Sequence, residues 1–138
     1  MFVDASAIVA ILTKEPDGEW LASALDKAEA PITSPLAIYE ATLGLCRKQR
    51  GSVAQALDDV YALIEAAGIR LVDIPSEAAD LALDAFARYG KGRGHPAQLN
   101  MGDCFAYALT TAHRTLLLFK GNDFHATDIP TVPFRPRS

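Results

Sequence analysis

Apolar residues along this chain fall into short continuous blocks separated by segments with helical periodicity. Residues 2–4 (Phe2, Val3, Asp4) form a very short strand candidate, and Ser6 to Thr13 continues as an apolar helix. Glu15-Pro16-Asp17-Gly18 breaks the pattern, and Pro16 suits the first turn of a helix through Trp20, Leu21, Ala24, Leu25 and Ala28. Ala30 to Thr33 reads as a second strand. Ser34 is an N-cap, with Pro35 at the first helical position, for a helix reaching about Arg50. A further helix spans about Val53 to Ala67 and is closed by Gly68. Ile69 to Ile74 alternates as a strand, and Ser76 caps a helix to about Tyr89. Gly90 to Gly102 is rich in Gly, Lys and Pro and reads as an exposed loop. A helix from Asp103 to His113 follows, then an uninterrupted strand from Thr115 to Phe119. From Ile129 to Ser138 three prolines leave room for a short edge strand and a loose end.

Strands that alternate with helices, and that are apolar throughout rather than on every second residue, predict an α/β domain around a mostly parallel sheet. The whole chain, 1–138, reads as one such domain. Sites in these sheets form at the carboxyl ends of the strands. Asp4 ends the first strand and Asp123 follows the last long one by four residues, so both belong to the same edge.

Half the residues are apolar and 22% are charged, which excludes a disordered chain. No uncharged run exceeds about ten residues, short of a membrane span. The N-terminus lacks a basic signal-peptide region, and Cys46 and Cys104, both in helix candidates, make no disulfide framework, so a reduced cytoplasmic setting is expected. A net charge of −4 argues against a general nucleic-acid coat but leaves a nuclease open, because acids around a metal lower the count. Two local basic groups stand out, Arg47 to Arg50 and the loop with Lys91, Arg93 and His95. Each is either solvated surface or a means of steering phosphates.

Four carboxylates sit in or against apolar segments: Asp4, Glu40, Asp103 and Asp123. Acids in such places are rarely left unpaired, and a divalent cation would make several tolerable at once. Asp4 and Asp103 could instead cap the helices they precede, and Asp123 could be an ordinary turn residue. Glu40 is mid-helix on the face of Leu36, Leu43 and Gly44. Its nearest basic residue on that helix, Arg47, is seven positions away, which leaves a metal or a long salt bridge. Asp128 is a weaker fifth candidate. The remaining acids, Asp17 among them, read as solvated. An all-carboxylate set favours Mg²⁺ or Mn²⁺ over zinc. His95, His113 and His125 lack zinc spacing, and no phosphate loop or nucleophile elbow is present.

Met1 to Ala7, Ser34 to Glu40, Asn100 to Ala108, and Leu118 to Phe124 continuing through Thr127-Asp128-Ile129 resemble, in this order and spacing, the four motifs of the PIN domain. The resemblance is closest to the VapC toxins of bacterial type II toxin–antitoxin systems. It covers essentially the whole chain. One departure is Asn122, where many relatives have an acid. The resemblance implies a three-layer α/β/α fold and Mg²⁺- or Mn²⁺-dependent endoribonuclease activity. Asp4, Glu40, Asp103 and Asp123 would be its catalytic and metal-binding residues, supported by Ser6 and Asn122. It further implies neutralisation by a VapB-type antitoxin, a homodimer, and contact with DNA only through that antitoxin. Arg47, Arg50, Lys91 and Arg93 are candidates for steering RNA.

Overall fold

The computed structural model describes residues 1–133. Its sheet is made of strands two residues long: β1 (Phe2–Val3), β2 (Ile32–Thr33), β3 (Arg70–Leu71) and β4 (Leu117–Leu118). They lie in the order β3-β2-β1-β4, all parallel, with Phe2 opposite Ile32 and Leu117, and Val3 opposite Leu118. Six helices join them: α1 (Ala5–Leu12), α2 (Gly18–Asp26), α3 (Pro35–Gln49), α4 (Val53–Ala66), α5 (Ala78–Tyr89) and α6 (Met101–Ala112).

Successive side chains of a strand point to opposite faces. The two central strands, β1 and β4, therefore each supply one side chain to each layer. Phe2 and Leu117 pack with Ala82 and Ala85 of α5 and with Ala108 and Leu109 of α6. Val3 and Leu118 pack with Ile8, Leu21, Leu45 and Val60, drawn from α1 to α4. The result is the expected three-layer α/β/α arrangement. None of the described helices is long and apolar enough to cross a membrane.

The strands are shorter than the apolar runs that predict them, because β1 and β2 turn at once into helix caps. Asp4 caps α1 and Ser34 caps α3, so β4 and β3 find no partner backbone beyond two residues. The helix expected from Pro16 starts at Gly18, after a turn closed by the Gly18 N–H on Glu15 O. Ser76 does not cap α5: the preceding turn is closed by the Ala78 N–H on Pro75 O, and Glu77 occupies the cap position without a side-chain bond. The helix expected from Asp103 begins two residues earlier, capped by Asn100. Gly68 adopts the left-handed conformation (φ 65°) that a helix C-terminus asks of glycine. The expected edge strand near Ile129 is a single parallel bridge, Leu117 to Thr131, held by Leu117 N–H on Pro130 O and Val132 N–H on Leu117 O. The loose end expected beyond it falls largely outside the described residues.

Candidate active site

At the carboxyl edge of the sheet a cavity of about 380 Å³ is lined by Asp4, Ser6, Glu40, Arg47, Asn100, Asp103, Lys120 and Asp123, together with Glu15 and Lys48. Each acid arrives by a different local device. Asp4 leaves β1 with its N–H on Leu118 O of β4 (2.9 Å), and its carboxylate accepts from the Ser6 N–H (3.0 Å) and Ser6 hydroxyl (2.5 Å). The Ser6 oxygen in turn accepts the Lys120 N–H (3.0 Å), tying the loop after β4 to the start of α1. Asp103 is the third residue of α6 and closes a capping box: its carboxylate accepts the Asn100 N–H (3.1 Å) while Asn100 Oδ1 accepts the Asp103 N–H (2.8 Å). Asp123 is exposed and follows Gly121, whose positive φ (109°) turns the chain back toward the edge.

Glu40 comes from α3, and its carboxylate lies over the backbone of Gly102. A Cβ at residue 102 would stand 1.9 Å from Glu40 Oε2. Glycine is required for that approach, and the approach brings Glu40 to the first turn of α6 beside Asp103. Among the described residues Glu40 has no hydrogen-bond or ion-pair partner.

The electrostatics follow from burial. Burial, reinforced by Asp4, pushes Glu40 up to about 7. Burial also carries Asp103 to about 7, against the pull of the Asn100 N–H and with the aid of Asp4, Asp123 and Glu40. Asp4, 6% exposed, is raised by burial despite its bonds to Ser6. The nearby cations do not relieve this charge. Glu15, in the turn after α1, accepts from Lys120 (2.8 Å) and from Lys48, and these two ammonium groups hold its carboxyl below the usual range. The lysines at the cavity are thus engaged by an acid on its rim.

An all-oxygen carboxylate cluster in which Asp4, Glu40, Asp103 and Asp123 make no salt bridge among the described residues fits a hard divalent ion. No three His, Cys, Asp or Glu side chains among the described residues enclose an ion as they stand. Mg²⁺ does not need such a cage, since it keeps several waters and is held through one or two carboxylates.

The other expected residues divide. Arg47 lines the acid cavity. Arg50 ends α3 in a left-handed conformation (φ 51°), and Lys91 and Arg93 are exposed in the loop between α5 and α6; none of the three lines it. Asn122 faces a neighbouring cavity instead. Asp128 is committed elsewhere, to Arg88 (3.1 Å) and the Tyr107 hydroxyl. Glu15, Lys48 and Lys120 escape sequence reasoning as a unit because their pairing joins positions far apart in the chain; no local spacing signals it.

Three kinds of likeness place the chain among known proteins. The PIN domain family profile matches residues 1–130. A VapC ribonuclease of Rhizobium meliloti is 43% identical over 139 residues, covering 93% of this chain and 98% of its own. Ribonuclease VapC of Mycolicibacterium smegmatis is 42% identical over 133 residues, covering 96% and 99%. In fold, the chain is similar to the crystal structure of Mycobacterium tuberculosis VapC20, described as a sarcin–ricin-loop-cleaving toxin. The TM-score is 0.74 at 16% identity, over 95% of this chain and 97% of that one.

Proposed function

The chain belongs to the PIN-domain family and, within it, groups with the VapC ribonucleases; from that membership we propose a mechanism for it as the endoribonuclease toxin of a type II toxin–antitoxin system. The observation that carries the mechanism is the convergence of Asp4, Glu40, Asp103 and Asp123 on one cavity whose lysines are held by Glu15.

Asp4, Glu40 and Asp103 would hold Mg²⁺ or Mn²⁺, and Asp123 would orient the attacking water or help hold a second ion. When bound, the ion supplies charge neutralisation at the scissile phosphate and acidifies a water. Ser6 fixes the Asp4 carboxylate and, through the Lys120 N–H, the loop that carries Asp123. Asn100 fixes Asp103 in the same manner. Arg47, at the cavity and without an ion-pair partner among the described residues, is placed to receive a backbone phosphate. With water as nucleophile, the products carry a 3′-hydroxyl and a 5′-phosphate. A VapB-type antitoxin covering this edge would silence the enzyme, and a homodimer acting in the cytoplasm completes the reading.

The test is RNA 5′-end mapping in cells after induced expression of wild type and Asp4→Asn. Asn keeps the helix cap, so the variant folds. Growth arrest with discrete new 5′-phosphate ends in the wild type alone is the expected result. Equal cleavage by the folded variant would remove Asp4 from the site.

A further inference from the structure

Beside the acid cavity lies a second, of about 460 Å³, lined by Asp17, Trp20, Phe119, Lys120, Asn122 and His125 among others. The size falls within the roughly 300–1,000 Å³ typical of small-molecule sites. Lys120 lines both cavities, so the second begins where the first ends.

Its walls differ in kind from the acid cavity. Trp20 comes from α2 and Phe119 from the residue after β4. The Phe119 ring is held edge-on by Phe124 (centroids 5.1 Å apart) and by His125 (5.3 Å), so it presents a fixed surface rather than a mobile one. Around these rings stand groups that read a polar edge. The Asn122 amide both donates and accepts, and His125 adds a ring nitrogen. Asp17 occupies the N-cap position of α2 yet makes no capping bond there. Its carboxylate lines the cavity instead and acts on Lys120 through space. Aromatic faces combined with amide and carboxylate edges are the means by which proteins hold an unstacked base of single-stranded RNA. An aliphatic peptide side chain would leave Asp17 and Asn122 without partners, which argues against that occupant.

We propose that this cavity is a nucleobase pocket for the RNA residue flanking the scissile phosphate, with Trp20 and Phe119 as stacking faces and Asp17 as a base-edge acceptor. A carboxylate accepts hydrogen bonds but gives none, so it favours a base bearing an exocyclic amino group over uracil, whose single N3–H donor is flanked by two carbonyl oxygens that repel the carboxylate. The pocket rests on the ribonuclease reading above for its substrate class, and it assigns specificity to residues that lie outside the acid cluster.

Two measurements on a randomised single-stranded RNA pool test it. In the first, cut sites are sequenced for wild type and Asp17→Asn with Mn²⁺; Asp17 makes no capping bond and asparagine matches its shape, so folding is kept. Wild type is expected to disfavour uridine beside the cut, and Asp17→Asn to reduce that bias about tenfold, within what one base-edge pair discriminates, while Mn²⁺ affinity is unchanged. In the second, emission of Trp20, the sole tryptophan of the chain, is followed during titration with the same pool in Ca²⁺. Saturable quenching is expected, weaker for polyuridine than for polycytidine. An identical cut-site bias in the two proteins overturns the pocket, as does Trp20 emission indifferent to RNA. So does an Asp17→Asn effect confined to the capture of a VapB-type peptide. A pool that wild type leaves uncut counts against the ribonuclease reading, and the Trp20 titration still decides the pocket.

Discussion

Replacing Gly102 by alanine separates stability from chemistry at this site. A Cβ at residue 102 would lie 1.9 Å from Glu40 Oε2 and 2.3 Å from both Cδ and Oε1, where real Cβ contacts stay beyond 3.0 Å. The colliding atoms end a flexible side chain, so Glu40 yields and the backbone does not. The carboxylate must then retreat by roughly 1 Å, a displacement that can lower a rate by about 10²-fold when the group positions a reacting centre. That loss corresponds to about 2.7 kcal/mol of transition-state stabilisation. The helix moves the other way, since Ala is favoured over Gly in a helix by about 0.5–1 kcal/mol. Gly102→Ala is therefore expected to unfold in urea at the wild-type midpoint or above it, to cleave RNA about 10²-fold more slowly, and to bind Mn²⁺ more weakly by calorimetry. A wild-type cleavage rate would refute the placement of Glu40. A rate loss accompanied by lost stability would show that the backbone, not the carboxylate, had moved.

Other outcomes follow from the same geometry. Glu40 and Asp103 reach about 7 in the folded protein, above their unfolded values of about 4. The folded state thus holds protons that the unfolded chain has released. What these two groups contribute to the stability of the metal-free protein is fully present below pH of about 4 and is lost as pH rises through about 7, while Glu15 and Asp128, held low, act in the opposite sense at acid pH; urea titrations should show a steeper decline across that window for wild type than for Glu40→Gln, and Mn²⁺ should reverse it at the upper end. Glu15→Gln frees Lys48 and Lys120, so Mn²⁺ affinity should drop several-fold while stability changes by about 1 kcal/mol or less, the lysines being partly exposed; an unaltered calorimetric affinity would show that Glu15 does not keep them from the cluster. Ser6→Ala removes a donor to Asp4 and the acceptor of the Lys120 N–H, for an expected loss of about 1–3 kcal/mol in urea unfolding. Asp128→Asn weakens the Arg88 contact and should leave RNA cleavage within about twofold of wild type, since neither Asp128 nor its partners Tyr107 and Arg88 line the acid cavity.

The parallel sheet and its helices were legible because each element carries its own signal: Ser34 with Pro35 for α3, Gly68 after α4, and the apolar runs at residues 2–3 and 117–118. Strand lengths were not, because a strand ends where its neighbour stops supplying backbone, which no single segment records. Asp4, Glu40 and Asp103 announced themselves through the improbability of burying a carboxylate, whereas Asp123, set against an apolar segment in the sequence, is exposed. Asp4 and Asp103 make the capping bonds that their positions suggested and line the cavity as well, so capping does not exclude them from the proposed site. Glu40 is not tied to Arg47. That Asp17 lines a cavity was not legible, because that cavity is walled in part by residues a hundred positions away, and the clasp of Glu15 on two lysines was hidden for the same reason.

Strands two residues long turn the sheet into a ruler. Phe2 belongs to one layer and Val3 to the other, and the next residue is already Asp4. A slip of β1 by a single residue would exchange Phe2 and Val3 between the two cores and carry Asp4 away from Leu118 and from the acids opposite. Inserting or deleting one residue before Asp4 is thus an error in both cores and in the site at once. The two-layered packing acts as a proofreading device for where the carboxylate falls.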